Sequence, residues 1–191
     1  MFYATEVTTN EELLQIHELN RENLKGNMSQ QEQDEQGFVT WLYPISLLQQ
    51  IHELVPSIIV KKDDAVVAYA LVTPVEAGNF HPDLQAMIDQ LETVTYKGKL
   101  LSTYNYYIMG QVCIDRDFRG KGLFNMLFDK HRELYSNSYD LLVTEISTSN
   151  YRSQKAHEKV GFTTIYTHRD ALDEWNVVVW DWMQPGQPFI E

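Results

Sequence analysis

The stretch Ile114-Asp115-Arg116-Asp117-Phe118-Arg119-Gly120-Lys121-Gly122-Leu123-Phe124 holds the residues best suited to bind an anion. It runs from a β-prone segment into one with helical spacing, and its glycines let the backbone approach a ligand without a Cβ in the way. Amides at a helix N-terminus point outward and carry partial positive charge, which suits a pyrophosphate. Arg119 and Lys121 add cations to a chain that is otherwise acidic. Taken alone, the turn reads more readily as a plain strand-to-helix connection with exposed basic residues. It lacks the Gly-x-x-x-x-Gly-Lys-Ser/Thr of a Walker loop and the third glycine of a dinucleotide fingerprint.

A second stretch changes that balance. Glu145-Ile146-Ser147-Thr148-Ser149-Asn150 leads into Tyr151-Arg152-Ser153-Gln154-Lys155-Ala156-His157-Glu158-Lys159-Val160-Gly161-Phe162. Together the two stretches resemble the acyl-CoA-binding motifs of the GNAT superfamily. There a strand enters Arg-Gly-x-Gly and a helix, and a second strand precedes Asn-x-x-Ala-x-x-x-Tyr-x-x-x-Gly-Phe. This chain has Asn150, Ser153, His157, Gly161 and Phe162 at those intervals, and the close likeness covers about Tyr106 to Phe162.

The resemblance implies an N-acetyltransferase that moves an acetyl group from acetyl-CoA to a primary amine by direct attack in a ternary complex. Acyl-pantetheine would lie between two splayed parallel strands, against the backbone of Val112, Cys113 and Ile114. The pyrophosphate would rest on Arg119, Gly120, Lys121, Gly122, Leu123 and Phe124, with Asn150 and Ser153 as further cofactor contacts. Two residues depart from the pattern. Phe124 stands where the family prefers Gly or Ala, and its helical spacing with Phe128 favours an inward ring.

His157 stands where a Tyr often protonates the departing thiolate. An imidazolium with an ordinary pKa near ~6.5 can do the same, and a histidine merely packed on its helix is the equal alternative. Glu145, twelve positions before His157, matches the base of some branches. Its competing reading is a strand carboxylate satisfied by a neighbouring Lys or Arg. These departures sustain a rival function, a non-catalytic acyl-CoA-binding sensor or interaction module on the same fold. An O-acyl or aminoacyl transferase is a further rival.

Other reactive residues yield less. Cys113 is the single cysteine, and a lone cysteine inside a strand is most often a small buried hydrophobe. Six histidines are scattered without paired metal spacing, so no metal is expected.

These residues need elements to position them. Phe2 to Val7 reads as a strand, and Thr9 or Asn10 caps a helix with a stripe through Leu13, Ile16 and Leu19. Lys25 to Gly37 is polar and reads as a loop or weak helix, either a connector or a substrate lid. A helix follows over Ile45–Leu54, then a hairpin of Ser57–Lys61 and Ala65–Val72 around Lys62-Asp63-Asp64. Pro82–Val94 is a helix, Tyr106–Ile114 a strand, and Leu123, Leu127, Phe128 and His131 mark the buried side of another helix. Leu141–Ile146 reads as a central strand. Asn150–Val160 is a helix stopped by Gly161, and Phe162–Thr167 and Asn176–Trp182 close the sheet.

That order describes an α/β (α+β) layer fold. A mixed, mostly antiparallel central sheet carries helices on both faces, and the resemblance adds the splayed parallel pair. A single domain over residues 1–191 is expected.

The bulk numbers exclude some partners. Lys and Arg total 15 against 27 Asp and Glu, a formal net charge of −12. Nucleic acid is a poor match to that balance, whereas a cationic acceptor fits, with the acidic Ser29–Gln36 segment in support. No secretory leader or membrane span is legible, so a soluble cytoplasmic protein is expected. Trp175, Trp180 and Trp182 offer a surface for a homodimer.

Overall fold

In a computed structural model that describes residues 1–183, the apolar run Val66–Pro74 is buried along its whole length and forms the middle of a sheet. The strands are β1 (Phe2–Glu6), β2 (Ile58–Lys62), β3 (Ala65–Pro74), β4 (Thr95–Tyr96), β5 (Lys99–Leu100), β6 (Tyr106–Ile114), β7 (Leu141–Ser147), β8 (Thr163–Arg169) and β9 (Glu174–Asp181). The helices are α1 (Asn10–Glu22), α2 (Gln30–Gln36), α3 (Ile45–Leu54), α4 (Pro82–Glu92), α5 (Leu123–Tyr135) and α6 (Tyr151–Val160). Seven strands form one sheet in the order β1-β2-β3-β6-β7-β9-β8, while β4 and β5 pair separately. Each neighbouring pair in the large sheet is antiparallel except β6–β7.

Strand alternation sorts the core onto two faces. Val178 and Trp180 of β9 pack with Leu123, Leu127 and Phe128 of α5. Val177 and Val179, one residue out of phase, face Ile88 and Leu91 of α4. Further along that second face, Leu13, Ile16 and Leu19 of α1 meet Leu47, Leu48 and Ile51 of α3 over β3.

The helix ends are well specified. Thr9 and Glu12 close a capping box on α1. Asn150 caps α6 by accepting from Ser153 N–H at 3.3 Å. Gly161 ends that helix at φ +117°, a left-handed conformation that favours glycine.

Two expectations need correction and one choice is resolved. Lys25–Gly37, read as a loop or weak helix, is in part the helix. It contains α2, whose Ser29 and Glu32 form a second capping box although the helix buries no residue. The small β4–β5 hairpin lies in a span where no strand is read from the sequence, turning through Lys97 and Gly98 at positive φ. The three tryptophans do not make an outward patch. Trp180 is buried in the core, Trp182 packs on Trp180 and Tyr107, and Trp175 lines an internal cleft. Among the described residues no helix is long and apolar enough to cross a membrane.

Candidate active site

Three rungs join β6 to β7: Tyr106–Leu141, Tyr107–Leu142 and Ile108–Val143. Next along the strands, Thr144 Oγ1 donates to Met109 O at 2.8 Å, and beyond it the two strands line opposite sides of a cleft. The register of β6 on β3 shifts at this point, opposite Gly110 and Gln111. Asp115 N–H donates to Val67 O, on the β3 side. Backbone groups alternate along a strand, so Val112 and Ile114 direct theirs into the gap.

Gly110 is required by its neighbours. A Cβ there would stand 2.5 Å from the Tyr43 hydroxyl and 2.7 Å from Thr73 Oγ1. Tyr43 belongs to a segment, Phe38–Tyr43, that roofs the cleft. Asn20 Oδ1 accepts from Tyr43 N–H at 3.0 Å, and His17 Nδ1 lies 2.8 Å from Tyr43 O. Gln111 Nε2 donates to Trp41 O at 2.8 Å while its Oε1 accepts from Tyr69 at 2.5 Å. The roof is therefore bolted to both α1 and β6.

At one end the cleft widens to a cavity of about 220 Å³, lined by the glycine turn, α6 and the roof. Gly120 and Gly122 have φ of +73° and +78°, and a Cβ on either would meet no protein atom within 4 Å. Gly122 also starts α5, where no side chain caps the first turn, so helix N–H groups face this end without a side-chain acceptor. The turn is thus open, electropositive backbone, which is what an anion requires.

The side chains of the turn are arranged differently from what spacing suggests. Arg119 folds inward, donating to Ile114 O at 3.0 Å, Gln36 Oε1 at 3.0 Å and Asn23 Oδ1 at 2.6 Å. It fastens α1 and α2 to the turn more than it offers a free cation. Lys121 turns back to Asp117 O at 2.9 Å and the Phe118 ring. Leu123 is buried in the core. Phe124 packs on Phe128 at 4.6 Å with the rings tilted by 37° and meets His157 edge-on at 5.1 Å, so its ring points inward. Cys113 also lines this cavity, but burial pushes its thiol up to about 12, leaving it protonated.

The other end opens into a second cavity of about 260 Å³ that shares Phe38, Val39, Val112, Asn150 and Ser153 with the first. Asn150 Nδ2 donates to Phe38 O at 3.1 Å, so α6 holds the roof where the cavities meet. His157 and Glu145 both line this end.

The His157 ring is buried among Phe124, Phe128 and Phe162. Its Nδ1 lies 2.8 Å from Ser153 O, a carbonyl that can only accept, so the proton sits on Nδ1. Nε2 is buried with no hydrogen-bond partner among the described residues. Burial pushes the imidazole down to about 4, against the opposing effect of the Ser153 carbonyl. An imidazolium ready to donate at neutral pH, one of the two readings open from the sequence, is therefore disfavoured. The ring presents a lone pair at Nε2.

Glu145 Oε1 meets His168 Nε2 at 2.8 Å. Burial raises the carboxyl above its ordinary value, and His168 works in the opposite direction. The partner is thus a histidine rather than the Lys or Arg considered from sequence. The α2 segment lies over the first cavity through Gln36 and Gly37, not over the second, so its acidic residues do not line the second cavity. Sequence reasoning also missed the roof. Its fasteners, Asn20 and Gln111, are single polar residues inside a helix and a strand, far apart in the chain. Among the described residues no group of three or more His, Cys, Asp or Glu could hold a metal ion.

Comparison with known proteins agrees with this geometry. The ribosomal-protein-S18-alanine N-acetyltransferase from Escherichia coli superimposes with a TM-score of 0.65 at 12% identity, covering 100% of both chains. Ard1 from Thermoplasma volcanium gives 0.62 at 12% identity over 94% of this chain and 97% of its own. The NatC complex bound to Gag peptide and CoA gives 0.60 at 10% identity, covering 94% and 98%. No curated protein sequence matches. Residues 13–162 match the acetyltransferase (GNAT) family, a span that contains the split strand pair, the glycine turn and α6, and the chain belongs to that family.

Proposed function

We propose that this protein is an N-acetyltransferase that moves the acetyl group of acetyl-CoA to a primary amine in a ternary complex. One observation carries the reading: a single cleft joins an uncapped, glycine-lined helix start to a second, carboxylate-lined cavity at the gap between β6 and β7. Acetyl-CoA supplies an activated thioester. Gly120, Gly122 and the first turn of α5 bind its pyrophosphate through backbone N–H groups. Val112, with Cys113 and Ile114 beside it, offers strand-type backbone hydrogen bonds to the pantetheine. Asn150 and Ser153 border the junction where thioester and amine meet. An acyl-CoA sensor needs only the first cavity, so the second favours a transferase.

The residues then divide the proton work. Glu145 takes the proton of the incoming ammonium, leaving a neutral nucleophile. As the nitrogen lone pair forms the N–C bond, the C–S pair leaves on sulfur. His157 Nε2 accepts the proton that the new amide nitrogen sheds and passes it to that sulfur, so the ring begins and ends neutral. Positioning in one cleft contributes much of the rate.

Thermal unfolding tests the cofactor. Acetyl-CoA at 100-fold its Kd adds ~2.7 kcal/mol, which raises the Tm of a chain this size by several degrees; NAD and ATP give no shift. Thiol release with an amine panel tests the transfer. The lack of any shift with acetyl-CoA rejects the cofactor assignment, and a shift without thiol release from any amine favours the sensor.

A further inference from the structure

Charge is divided along the cleft. Among the described residues the cofactor end is lined by Arg119 and Arg152 and by no carboxylate, whereas the other end is lined by Asp83, Glu145 and Asp170 and by no Lys or Arg. These carboxylates also sit at two depths. Glu145 lies on β7, its side chain 14% exposed. Asp83 stands in the first turn of α4 with its side chain 73% exposed, and Asp170 is exposed in the turn between β8 and β9.

Between floor and rim the walls carry apolar and aromatic residues, Trp41, Met87, Leu172 and Trp175, beside polar ones such as Gln111 and Ser147. An independent feature of the floor also points to a ligand. His157 lines it while only 1% exposed, and its Nε2 has no hydrogen-bond partner among the described residues. A buried acceptor of that kind is costly unless something donates to it.

A simple alkylamine would use the floor and leave the rim carboxylates idle. A cation at each end of a short methylene chain would use both, with the methylenes against the aromatic walls. The cavity of about 260 Å³ suits a small molecule more than a folded partner. We infer that the acceptor is a short aliphatic diamine, held with one ammonium at the Glu145–His157 floor and the other between Asp83 and Asp170 at the rim. This rests on the transferase reading for its chemistry but not for its binding.

The test is calorimetric titration of the protein in saturating CoA with 1,4-diaminobutane, with butylamine as the matched monoamine, and with a short peptide bearing an N-terminal alanine. The diamine should bind at least about fivefold more tightly than butylamine, the scale that two exposed ion pairs together allow. Raising the salt should shrink that advantage. The double change Asp83→Asn, Asp170→Asn should bring the ratio of the two affinities close to one. Asn at 170 keeps the acceptor oxygen that Leu172 and Asp173 N–H groups use in the native turn.

Equal affinities of diamine and butylamine, no binding of either, an unchanged ratio in the double variant, or tighter binding of the peptide would each overturn the inference. Tight diamine binding without acetylated product from acetyl-CoA would instead defeat the transferase reading and leave the diamine-binding site standing.

Discussion

His157 shows how far a residue's chemistry depends on its surroundings. From the sequence it reads equally as a proton donor in a tyrosine's place or as a histidine packed on its helix. Ser153 O fixes its Nδ1 proton and three phenylalanines exclude water, which makes it neutral with a free Nε2. His157→Phe is expected to preserve acetyl-CoA affinity and to lower kcat by ~100-fold, the usual scale for a lost proton-transfer group. Steady-state kinetics on a true acceptor checks it, and an unchanged kcat would reduce His157 to packing. Since the ring is neutral down to about pH 4, no inflection near pH 6.5 should vanish in the variant. The position of His157 is legible from its interval to Asn150. Its protonation is not, because Phe124 and Phe128 reach it from α5.

Among elements, the glycine turn and the order of strands follow from local spacing: two glycines before an apolar stripe, and a near-continuous apolar run over Leu141–Ile146. The roof and α2 do not. Gln30–Gln36 has no apolar stripe, and only the Ser29-x-x-Glu32 box announces it. Arg119 is the fastener that links these parts, tying Ile114 O, Asn23 and Gln36 together. Arg119→Ala should therefore loosen α2 and weaken acetyl-CoA binding by roughly tenfold, the cost of about one charge-assisted hydrogen bond. Limited proteolysis should find new cleavage between residues 25 and 37. Wild-type resistance in that segment together with lost affinity would mean that Arg119 acts as a direct phosphate ligand instead. The corresponding change Gly122→Val is less informative, since its positive φ strains any side chain and lowers stability along with binding.

At the scale of the whole molecule, the buried histidines make stability depend on pH in one direction. Burial pushes His131 down to about 3 and His157 to about 4 from an ordinary 6.5. The unfolded chain then binds more protons than the native one as pH falls. Stability from these groups is fully present above ~6.5, erodes below it, and stops changing below the native values. Each costs about 2 kcal/mol between pH 8 and pH 5. Denaturant unfolding of wild type and His157→Phe across that range checks it: the variant should lose about 2 kcal/mol less, and parallel losses would contradict a neutral buried ring. The overall acidity is legible from composition. Its division along the cleft is not, because Asp83, Glu145 and Asp170 come from three distant segments that meet only through the fold.

The short β6–β7 contact has a further consequence, for exchange of amide hydrogens with solvent. Val112 lies in the middle of a seven-stranded sheet, yet its N–H faces the gap beyond the last rung at Ile108–Val143. It should exchange as fast as a strand at a sheet's border, while Cys113, turned toward β3, exchanges only when the sheet opens. Adjacent residues of one strand would thus differ by orders of magnitude in protection. A pantetheine bound there supplies the missing strand, and the two rates should then converge.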